Sequence, residues 1–539
     1  MNIVMPLNKQ ALIDINPNTL SAEECDVLVV GSGCAGIMTA LHAARSANVL
    51  LASKKAFSDS NTANAQGGVA VPVSPGDDPR FHIEDTLASG KGLCDRETVE
   101  DYIRSAPQAL EELLTLGVRF DRDDGELLFT QEGGHSQPRI VRANGDATGA
   151  EISRALIHKA RQNDAIQCSP HTFFVDLLKA GKRVTGAVLY SRKKKKLFRV
   201  LAKTVVIASG GAGQIYRETT NPRTATGDGL AAALRAGAQL QDMEFIQFHP
   251  TTLYIAGSSR LLISETLRGE GGRLIDRNGN RFMSDYSEKM ELAPRDVVSR
   301  AIIAHLRKYG GTHVYLDVTH LDAEYVKKRF PWIYSECRNF KIDISRDKIP
   351  VYPAAHYTIG GIRTERSGRA EGLEGLFACG EACCSGFHGA NRLGSNSLLE
   401  TAVGGIKTGE AAAEYARNNS IWRKDADIRR DDVMKHAGAI DIRDSEVSLH
   451  SEMWRSVGIE RSFEVLNNAW GRINFWSGYI LGRTFKNPEG WELQNMLQVA
   501  KAVVKSAVNR TESRGAHFRE DYPDTDDEIW NVHTKLSGE

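Results

Sequence analysis

The sequence lacks a long hydrophobic run and an excess of charge of either sign. No apolar stretch approaches the ~18 residues that a membrane-spanning helix needs. Lysine and arginine number 68 and aspartate and glutamate also number 68, so the formal net charge is zero. This balance removes the electrostatic argument for a nucleic acid or an anionic membrane as a partner. The basic run at 192–196 is a local exception. It lies between two strand-like runs and therefore predicts a solvated hairpin tip.

An export signal and a disulfide framework are also missing. Residues 1–22 show no basic segment followed by an apolar one, and we expect them to form a loosely ordered tail. The eight cysteines are scattered without paired spacing, as is typical of reduced thiols in the cytoplasm. Cys379, Cys383 and Cys384 form one cluster, but no second pair completes a metal site. The sequence therefore predicts a cytoplasmic protein without a bound metal.

The sequence does contain a dinucleotide-binding fingerprint near its start. A strand predicted at 26–30 leads into Gly31, Gly33 and Gly36, which have the G-x-G-x-x-G spacing. A helix and a second strand, at 49–53, follow. The glycines allow a tight turn, the close approach of a phosphate and the packing of the helix. A pyrophosphate at the helix N-terminus would meet free N–H groups and the positive end of the helix dipole.

The acid that usually ends the second strand of such a unit is absent, and Ser53 and Lys54 stand in its place. Two later segments, 203–213 and 372–382, are again apolar strands that lead into glycines. A long cofactor folded across a doubly wound sheet needs contacts from several strand ends, whereas NAD needs only the first unit. The residues therefore favour FAD over NAD.

Ten motifs spread over residues 25–523 resemble, in order, those of the flavoprotein family of succinate dehydrogenase, fumarate reductase and L-aspartate oxidase. They are GSGCAG, NTANAQGGVA, TGDGLAAALRAGA, EFIQFHPTTLY, SETLRGEGG, ELAPRDVVSRAI, PAAHYTIGG, FACGEA, HGANRLGSNSLLE and ESRGAHFREDYP.

The resemblance implies an α/β fold with three parts. A Rossmann-like FAD-binding domain would be split between 23–242 and 357–421, with an α+β capping domain at 243–356. A helical C-terminal domain would follow at 422–539. Helical spacing of apolar residues within 445–515 independently supports that last part.

The resemblance also implies which residues hold FAD. They are Gly31, Ser32, Gly33, Cys34, Ala35, Gly36, Ser53, Lys54, Asn61, Thr62, Ala63, Asn64, Ala65, Gln66, Gly67, Gly68, Asp228, Glu381, Ser397 and Leu398. Members of respiratory complexes carry, in the loop matching 61–68, a histidine that bonds covalently to the flavin. Asn61 stands at that position here, and an amide cannot form the bond. We therefore expect non-covalent FAD, and the change points away from succinate oxidation.

The resemblance places a dicarboxylate substrate among cations and hydroxyl groups. Arg392 and His356 are expected to bind one carboxylate, and His249 and Ser264 the other. Most close relatives have threonine where Ser264 stands, so the hydroxyl is kept. Arg295 is the expected catalytic acid in fumarate reduction. A guanidinium stays protonated until a very basic carbanion develops beside it.

Two acids complete the expected site. Glu265 is expected to hold Arg295 or a histidine in place. Glu132, an expected catalytic residue, opens the segment EGGHSQPRIVRANGDATG, which aspartate-oxidising members match at EGGHS and DATG. L-aspartate carries an ammonium group that succinate lacks, so an acid here suits aspartate. The alternative is a loop acid that accepts backbone N–H bonds, and the path of residues 141–145 stays open.

Together these residues and the resemblance imply FAD-dependent oxidation of L-aspartate to iminoaspartate by hydride transfer to flavin N5. Oxygen or fumarate would accept the electrons, and the product would feed quinolinate and NAD biosynthesis, with quinolinate synthase as a candidate partner. The alternatives are a soluble fumarate reductase, a flavoprotein subunit docked on an iron–sulfur partner, and a non-catalytic nucleotide-binding scaffold.

Overall fold

The computed structural model describes residues 1–5, 12–257, 260–424, 426 and 440–538. The strands are, in chain order, β1 (Asn2–Met5), β2 (Ala22–Val30), β3 (Val49–Ala52), β4 (Val69–Ala70), β5 (Arg122–Asp123), β6 (Glu126–Leu127), β7 (Phe129–Thr130), β8 (Ile140–Val141), β9 (Ile166–Ser169), β10 (Thr172–Ala180), β11 (Arg183–Ser191), β12 (Lys196–Ile207), β13 (Leu240–Gln241), β14 (Ile246–Leu253), β15 (Arg273–Ile275), β16 (Val314–Asp317), β17 (Ile349–Thr358), β18 (Gly361–Arg363), β19 (Leu376–Ala378), β20 (Cys383–Cys384) and β21 (Lys535–Gly538).

The α-helices are α1 (Cys34–Ala43), α2 (Pro79–Ser89), α3 (Arg96–Arg104), α4 (Ala106–Thr115), α5 (Thr148–Gln162), α6 (Asp228–Ala236), α7 (Glu265–Gly269), α8 (Arg295–Tyr309), α9 (Ala323–Arg329), α10 (Pro331–Asn339), α11 (Asn396–Arg417), α12 (Ile442–Ser456), α13 (Phe463–Ile480), α14 (Pro488–Asn509) and α15 (Asp527–Trp530). Short 3₁₀ turns lie at Pro17–Thr19, Gly213–Ile215, Met283–Asp285, Met290–Leu292 and Gly380–Ala382.

The largest sheet is built on the dinucleotide-binding unit. Its strand order is β10-β11-β12-β2-β3-β9, and β19 also pairs with β12. Strands β12, β2, β3, β9 and β19 run parallel, with Val27 of β2 opposite Val49 of β3. Residues 27–30, 49–52, 204–207 and 376–378 of these strands are buried, as expected for a parallel sheet that is covered on both sides. Helices α1 and α11 pack against each other beside the sheet, and the predicted α/β fold is confirmed.

The predicted hairpin tip is confirmed as well. Strands β11 and β12 pair antiparallel, with Ser191 opposite Lys196. The four lysines of the run are exposed, while Arg192 is half-buried and lies 3.2 Å from Glu489. The run 192–196 therefore serves as a solvated turn between two strands.

A separate four-stranded sheet, β14-β17-β16-β15, forms the core of the capping region together with α8, α9 and α10. The expected boundary at 356/357 falls inside β17, which runs unbroken from Ile349 to Thr358. The last strand of the capping region thus leads directly into the FAD-binding region. The expected boundary at 421/422 lies just before residues 425 and 427–439, which are outside the described part of the chain.

The prediction of a loose N-terminal tail was wrong for its described residues. Strand β1 pairs with β21 from the opposite end of the chain, with Asn2 opposite Lys535. Leu12 and Ile13 are buried in a cluster with Trp491. Both partners are distant in sequence, so no local pattern revealed them. The C-terminal part is helical through α12, α13, α14 and α15, as predicted, but it ends in a strand rather than a helix.

Three further features concern the described residues only. None of the helices combines the length and the apolar character that crossing a bilayer requires. No group of three histidine, cysteine, aspartate or glutamate side chains is arranged to hold a metal ion in the described ranges. All eight cysteines are free thiols.

Candidate active site

A cavity of about 440 Å³ connects the dinucleotide fingerprint to the arginines and histidines expected at the substrate. It is lined by Glu132, His249, Ser264, Glu265, Arg295, His356 and Arg392. Eighteen of the expected FAD contacts also line it: Gly31, Ser32, Gly33, Cys34, Ala35, Ser53, Lys54, Asn61, Thr62, Asn64, Ala65, Gln66, Gly67, Gly68, Asp228, Glu381, Ser397 and Leu398. Of the other two, Gly36 packs against the carbonyl of Gly31, and the Ala63 N–H donates to the Ser60 hydroxyl within its own loop.

The fingerprint turn suits a pyrophosphate. Gly31 has a φ of +118°, and a Cβ there would lie 2.1 Å from the carbonyl oxygen of Ala208, so only glycine fits. Helix α1 begins at Cys34. Its N-cap residue, Gly33, has no side chain, and the Cys34 N–H donates to Thr62 Oγ1 at 3.0 Å. Backbone N–H groups in the first turn of a helix bind anionic phosphates. The residues present therefore fit the phosphates of FAD.

Lys54 takes part in a cluster of charged and polar groups that includes residues of the C-terminal helix α14. The Lys54 ammonium donates to Asp228 Oδ2 at 2.7 Å, to Thr226 Oγ1 at 2.6 Å and to Glu492 Oε1 at 2.9 Å. Burial would lower the pKa of Lys54, but the two carboxylates outweigh burial and raise it. Asn495 donates to Asp228 Oδ1 at 2.8 Å. Sequence reasoning missed the two α14 residues because they lie more than 400 positions from Lys54.

The 61–68 loop joins the FAD-binding region to the capping region. Asn61 Nδ2 donates to Glu381 Oε2 at 2.7 Å, and Glu381 Oε1 accepts the Thr358 N–H at 3.0 Å. Burial raises the pKa of Glu381, although both hydrogen bonds oppose the shift. Gln66 donates to the carbonyl of Leu262 in the capping region. The loop thereby links the two walls of the cavity.

Two arginines at the substrate end share one neutral acceptor. Gln247 Oε1 accepts from Arg295 Nη1 at 3.0 Å, and from Arg392 Nε at 3.2 Å and Nη2 at 3.0 Å. The Arg392 guanidinium also lies over the Tyr357 ring, 4.3 Å from its centroid. Burial and the charge of Arg295 lower the pKa of Arg392 to about 10, which leaves it a cation at neutral pH. Two buried cations facing one cavity favour a ligand with negative charge. Sequence reasoning missed Gln247, although it lies in the quoted motif EFIQFHPTTLY.

The two expected histidines face each other at the same end. The rings of His249 and His356 lie edge to face, with centroids 5.2 Å apart. His356 Nδ1 is 2.8 Å from Thr220 Oγ1, and His249 Nδ1 is 3.1 Å from the Thr251 carbonyl oxygen. Burial and the neighbouring arginines hold the pKa of both histidines well below the usual value. Both imidazoles are therefore neutral at neutral pH and act as hydrogen-bonding groups rather than as cations.

Helix α7 starts directly at the site and carries the acid behind Arg295. Ser264 caps this helix by accepting the Thr266 N–H. Glu265 accepts from Arg295 Nε at 2.6 Å and lies 3.2 Å from Arg268 Nη2. Burial raises the pKa of Glu265, but the two arginines outweigh burial and lower it. Glu265 thus contacts Arg295 rather than a histidine. Sequence reasoning did not identify Arg268. Its spacing of three residues from Glu265 on one helix could have predicted this ion pair.

Glu132 lines the cavity and is buried, with 4% of its surface exposed. Its Oε1 accepts from Arg142 Nη2 at 2.9 Å, and its Oε2 accepts from the Ser395 hydroxyl at 2.7 Å. Thr266 Oγ1 lies 3.4 Å from Oε1. The carboxylate is therefore held by side chains and not by the backbone N–H groups of a loop. Arg142 was not anticipated, because the sequence left the path of residues 141–145 open.

Gly394 lies next to three charged side chains of the site, those of Glu132, Arg295 and Glu265. A Cβ at this position would lie 2.8 Å from Glu132 Oε2, 3.5 Å from Arg295 Nη2 and 3.5 Å from Glu265 Oε2. The absence of a side chain leaves room for a carboxylate and a guanidinium to face the same small volume. The structure thus places the Glu132 carboxylate and the Arg295 guanidinium around one small volume.

Comparisons with known proteins agree with this arrangement. The family model described as "FAD binding domain" matches residues 26–398, and the model "Fumarate reductase flavoprotein C-term" matches residues 486–539. Among solved structures, the FrdA chain of E. coli quinol fumarate reductase is similar with a TM-score of 0.89 at 33% identity. That similarity covers 96% of this chain and 94% of the other.

Curated relatives place the chain more closely. It is 40% identical over 526 residues to the L-aspartate oxidase of Streptomyces coelicolor, covering 94% of this chain and 90% of that protein. It is 39% identical over 525 residues to the L-aspartate oxidase of Yersinia pestis, covering 93% of this chain and 96% of that protein. The chain therefore belongs to the L-aspartate oxidase branch of the FAD-binding flavoproteins that also include fumarate reductase.

Proposed function

We propose that this protein oxidises L-aspartate to iminoaspartate with FAD as its cofactor. The observation that carries the proposal is the buried Glu132 carboxylate in the same cavity as Arg295 and Arg392. The arginines suit the two carboxylates of a four-carbon acid, and Glu132 suits the ammonium that only an amino acid brings. The relatives named L-aspartate oxidase support the same substrate.

Substrate binding follows from the chemistry of the lining groups. Arg392 and His356 bind one carboxylate, and His249 and Ser264 bind the other. Glu132 pairs with the α-ammonium group. A buried group built to pair with a substrate charge rejects an analogue that lacks it by about 10⁴-fold or more, because the group is left without a partner. Succinate is therefore a poor substrate in this site.

Conversion of L-aspartate, with its α-ammonium group, to iminoaspartate, with its neutral imine group, requires the loss of one hydride and two protons. FAD, when bound, accepts the hydride. Glu132 takes a proton from the α-ammonium group, which frees the nitrogen lone pair to form the C=N bond as the α-hydrogen leaves. The iminium product then loses a proton to give iminoaspartate. Arg295 is a poor base because its guanidinium stays protonated, so in this direction it binds the substrate anion.

Reduction of fumarate is a second activity that the same site supports. Arg295 donates a proton to one alkene carbon while the other receives hydride. Glu265, 2.6 Å from Arg295 Nε and 3.2 Å from Arg268, is placed to return the proton. Fumarate thus serves, beside oxygen, as an electron acceptor. The convergence of the arginines and histidines on one cavity also argues against a non-catalytic scaffold.

The substrate assignment is tested by anaerobic reduction of the bound flavin. L-aspartate is expected to bleach the yellow enzyme within seconds to minutes, whereas equimolar succinate leaves most of the colour after the same time. L-asparagine serves as the control that keeps the ammonium group but loses one carboxylate charge. A flavin that stays yellow with L-aspartate and bleaches with succinate contradicts the proposal.

We also propose that FAD is held without a covalent bond. Asn61 uses its amide nitrogen to donate to Glu381, and an amide has no nucleophilic ring nitrogen to attach to the flavin. Acid precipitation is expected to release all of the flavin into the supernatant, measured by absorbance and by mass. Flavin that stays with the precipitated protein contradicts this expectation.

We propose further that the product passes to quinolinate synthase in the cytoplasm. Iminoaspartate reacts with water, so a consuming enzyme must take it quickly. The eight free cysteines fit a reducing compartment. A coupled assay that measures quinolinate in the presence of both enzymes, together with cell fractionation, tests the two statements.

A further inference from the structure

We infer that Arg142 is a positioning residue that makes Glu132 selective for the ammonium group of L-aspartate. This inference rests on the function proposed above, and it adds a residue that the sequence did not single out. Arg142 Nη2 donates to Glu132 Oε1 at 2.9 Å, and the two side chains are 3% and 4% exposed. The pair is thus a buried ion pair at the edge of the substrate cavity.

Arg142 places a cation beside a buried carboxylate. A carboxylate taken out of water without a cation beside it favours the neutral acid. A neutral Glu132 neither attracts an ammonium group nor accepts its proton. Burial lowers the pKa of Arg142 to about 10, while Glu132 opposes the shift, so the guanidinium remains positive at neutral pH.

Arg142 also fixes the direction of the carboxylate. It binds Oε1, while the Ser395 hydroxyl binds Oε2 at 2.7 Å. Oε2 points toward Gly394, where a Cβ would lie 2.8 Å from it and 3.5 Å from Arg295 Nη2. With Arg142 and Thr266 on Oε1 and Ser395 on Oε2, the carboxylate cannot rotate freely. It therefore presents Oε2 to the volume that Arg295 also faces.

The hydrogen bonding of Arg142 argues that the fold does not keep it for stability alone. Among the described residues, Arg142 Nε and Nη1 are buried and have no hydrogen-bond partner. Buried polar groups that serve a structural purpose are as a rule fully hydrogen-bonded. By contrast, Arg139 of the same segment bonds Asp77 and Asp85 with all three of its nitrogens. The direct hydrogen bond of Arg142 goes to Glu132.

Other charged groups surround the pair. Arg329, Glu270 and Asp146 act on Arg142 from the capping region and from the loop that follows β8. His135 and Arg268 interact electrostatically with Glu132, and Glu265 and Arg295 face it across the Gly394 position. Removal of Arg142 leaves Arg268 as a more distant cation near Glu132.

The test compares two reactions of the FAD-loaded enzyme. Arg142→Met keeps the length and apolar stem of the side chain and removes its charge. It is expected to lower kcat/KM for L-aspartate oxidation about 30-fold, as loss of one partner of a buried charge pair does. Fumarate reduction, driven by a reduced dye, is expected to change less than about threefold, because fumarate has no ammonium group.

Two further measurements separate positioning from structural damage. Arg142→Lys restores the charge and is expected to recover most of the L-aspartate activity. Arg154→Met, which removes the exposed partner of the buried Glu151 on α5, is the matched control and leaves both reactions unchanged.

Each possible result either supports or overturns the role inferred for Arg142. Equal losses in both reactions, or L-aspartate activity within twofold of the parent, overturn the inference. If Arg142→Met does not fold, Arg142→Gln, which keeps a donor but no charge, gives the same comparison. Loss of L-aspartate activity in Glu132→Gln but not in Arg142→Met means that only the role of Arg142 is wrong. Full activity in Glu132→Gln means instead that the proposed function of Glu132 has failed.

Discussion

Replacing Arg295 by glutamine is expected to lower kcat for fumarate reduction by on the order of 10³–10⁴-fold, the largest effect of any single change in this site. The guanidinium supplies the proton and also carries a positive charge next to the developing carbanion, and glutamine supplies neither. Oxidation of L-aspartate is expected to fall less, because there Arg295 binds an anion and transfers no proton. The measurement is the rate of both reactions at saturating substrate.

The same variant is expected to fold and to retain FAD. Glu265 keeps Arg268 at 3.2 Å after Arg295 is removed, and Gln247 still accepts from Arg392. Arg307→Gln on the same helix is the control, since Arg307 is exposed and pairs with Glu520 far from the cavity. Fumarate reduction by Arg295→Gln within tenfold of the parent would mean that another group is the acid.

Replacing Glu132 by glutamine is expected to lower kcat/KM for L-aspartate by about 10³-fold while fumarate reduction is kept. Glutamine has nearly the same shape, and its side-chain oxygen can still accept from Ser395. The amide lacks the charge that attracts the ammonium group and cannot take its proton. Loss of the negative charge also removes a repulsion, so fumarate and succinate are expected to bind more tightly. Steady-state kinetics and inhibition by succinate measure both effects.

The matched control for this change is Glu151→Gln, which alters a glutamate paired with Arg154 on α5 outside the cavity. It is expected to leave both reactions as they are. Unchanged L-aspartate turnover in Glu132→Gln removes the role proposed for that carboxylate. A parallel fall in both reactions points instead to a general disturbance of the charges that meet at Gly394.

Much of the fold could be predicted from local sequence. The strand, glycine turn and helix that begin at Ala22 are contiguous, so their pattern is visible in one window of sequence. The hairpin around 192–196 is visible for the same reason. Strand β1 could not be predicted in this way, because its partner strand, Lys535–Gly538, lies at the other end of the chain. Apolar periodicity carries no information about which distant segment completes a sheet.

Part of the candidate site could likewise be predicted from local sequence, and part could not. His249, His356, Arg295 and Arg392 lie in separate motifs, and the structure brings them to one cavity. Sequence reasoning named each of them from its motif. It did not find Gln247, whose side-chain oxygen accepts from both Arg295 and Arg392. A neutral amide has no charge or spacing pattern that predicts a role in binding.

The sequence by itself determined that the chain has a dinucleotide-binding unit, an amide side chain at Asn61, and an acid in the EGGHS segment. These are properties of residue type and spacing, which a chain carries before it folds. Only the tertiary structure decided that Glu132 has Arg142 as its partner and that Lys54 is bound by Glu492 from α14. The charge of a buried group depends on what lies within a few ångströms of it, and in a folded chain those neighbours come from segments that sequence order keeps apart.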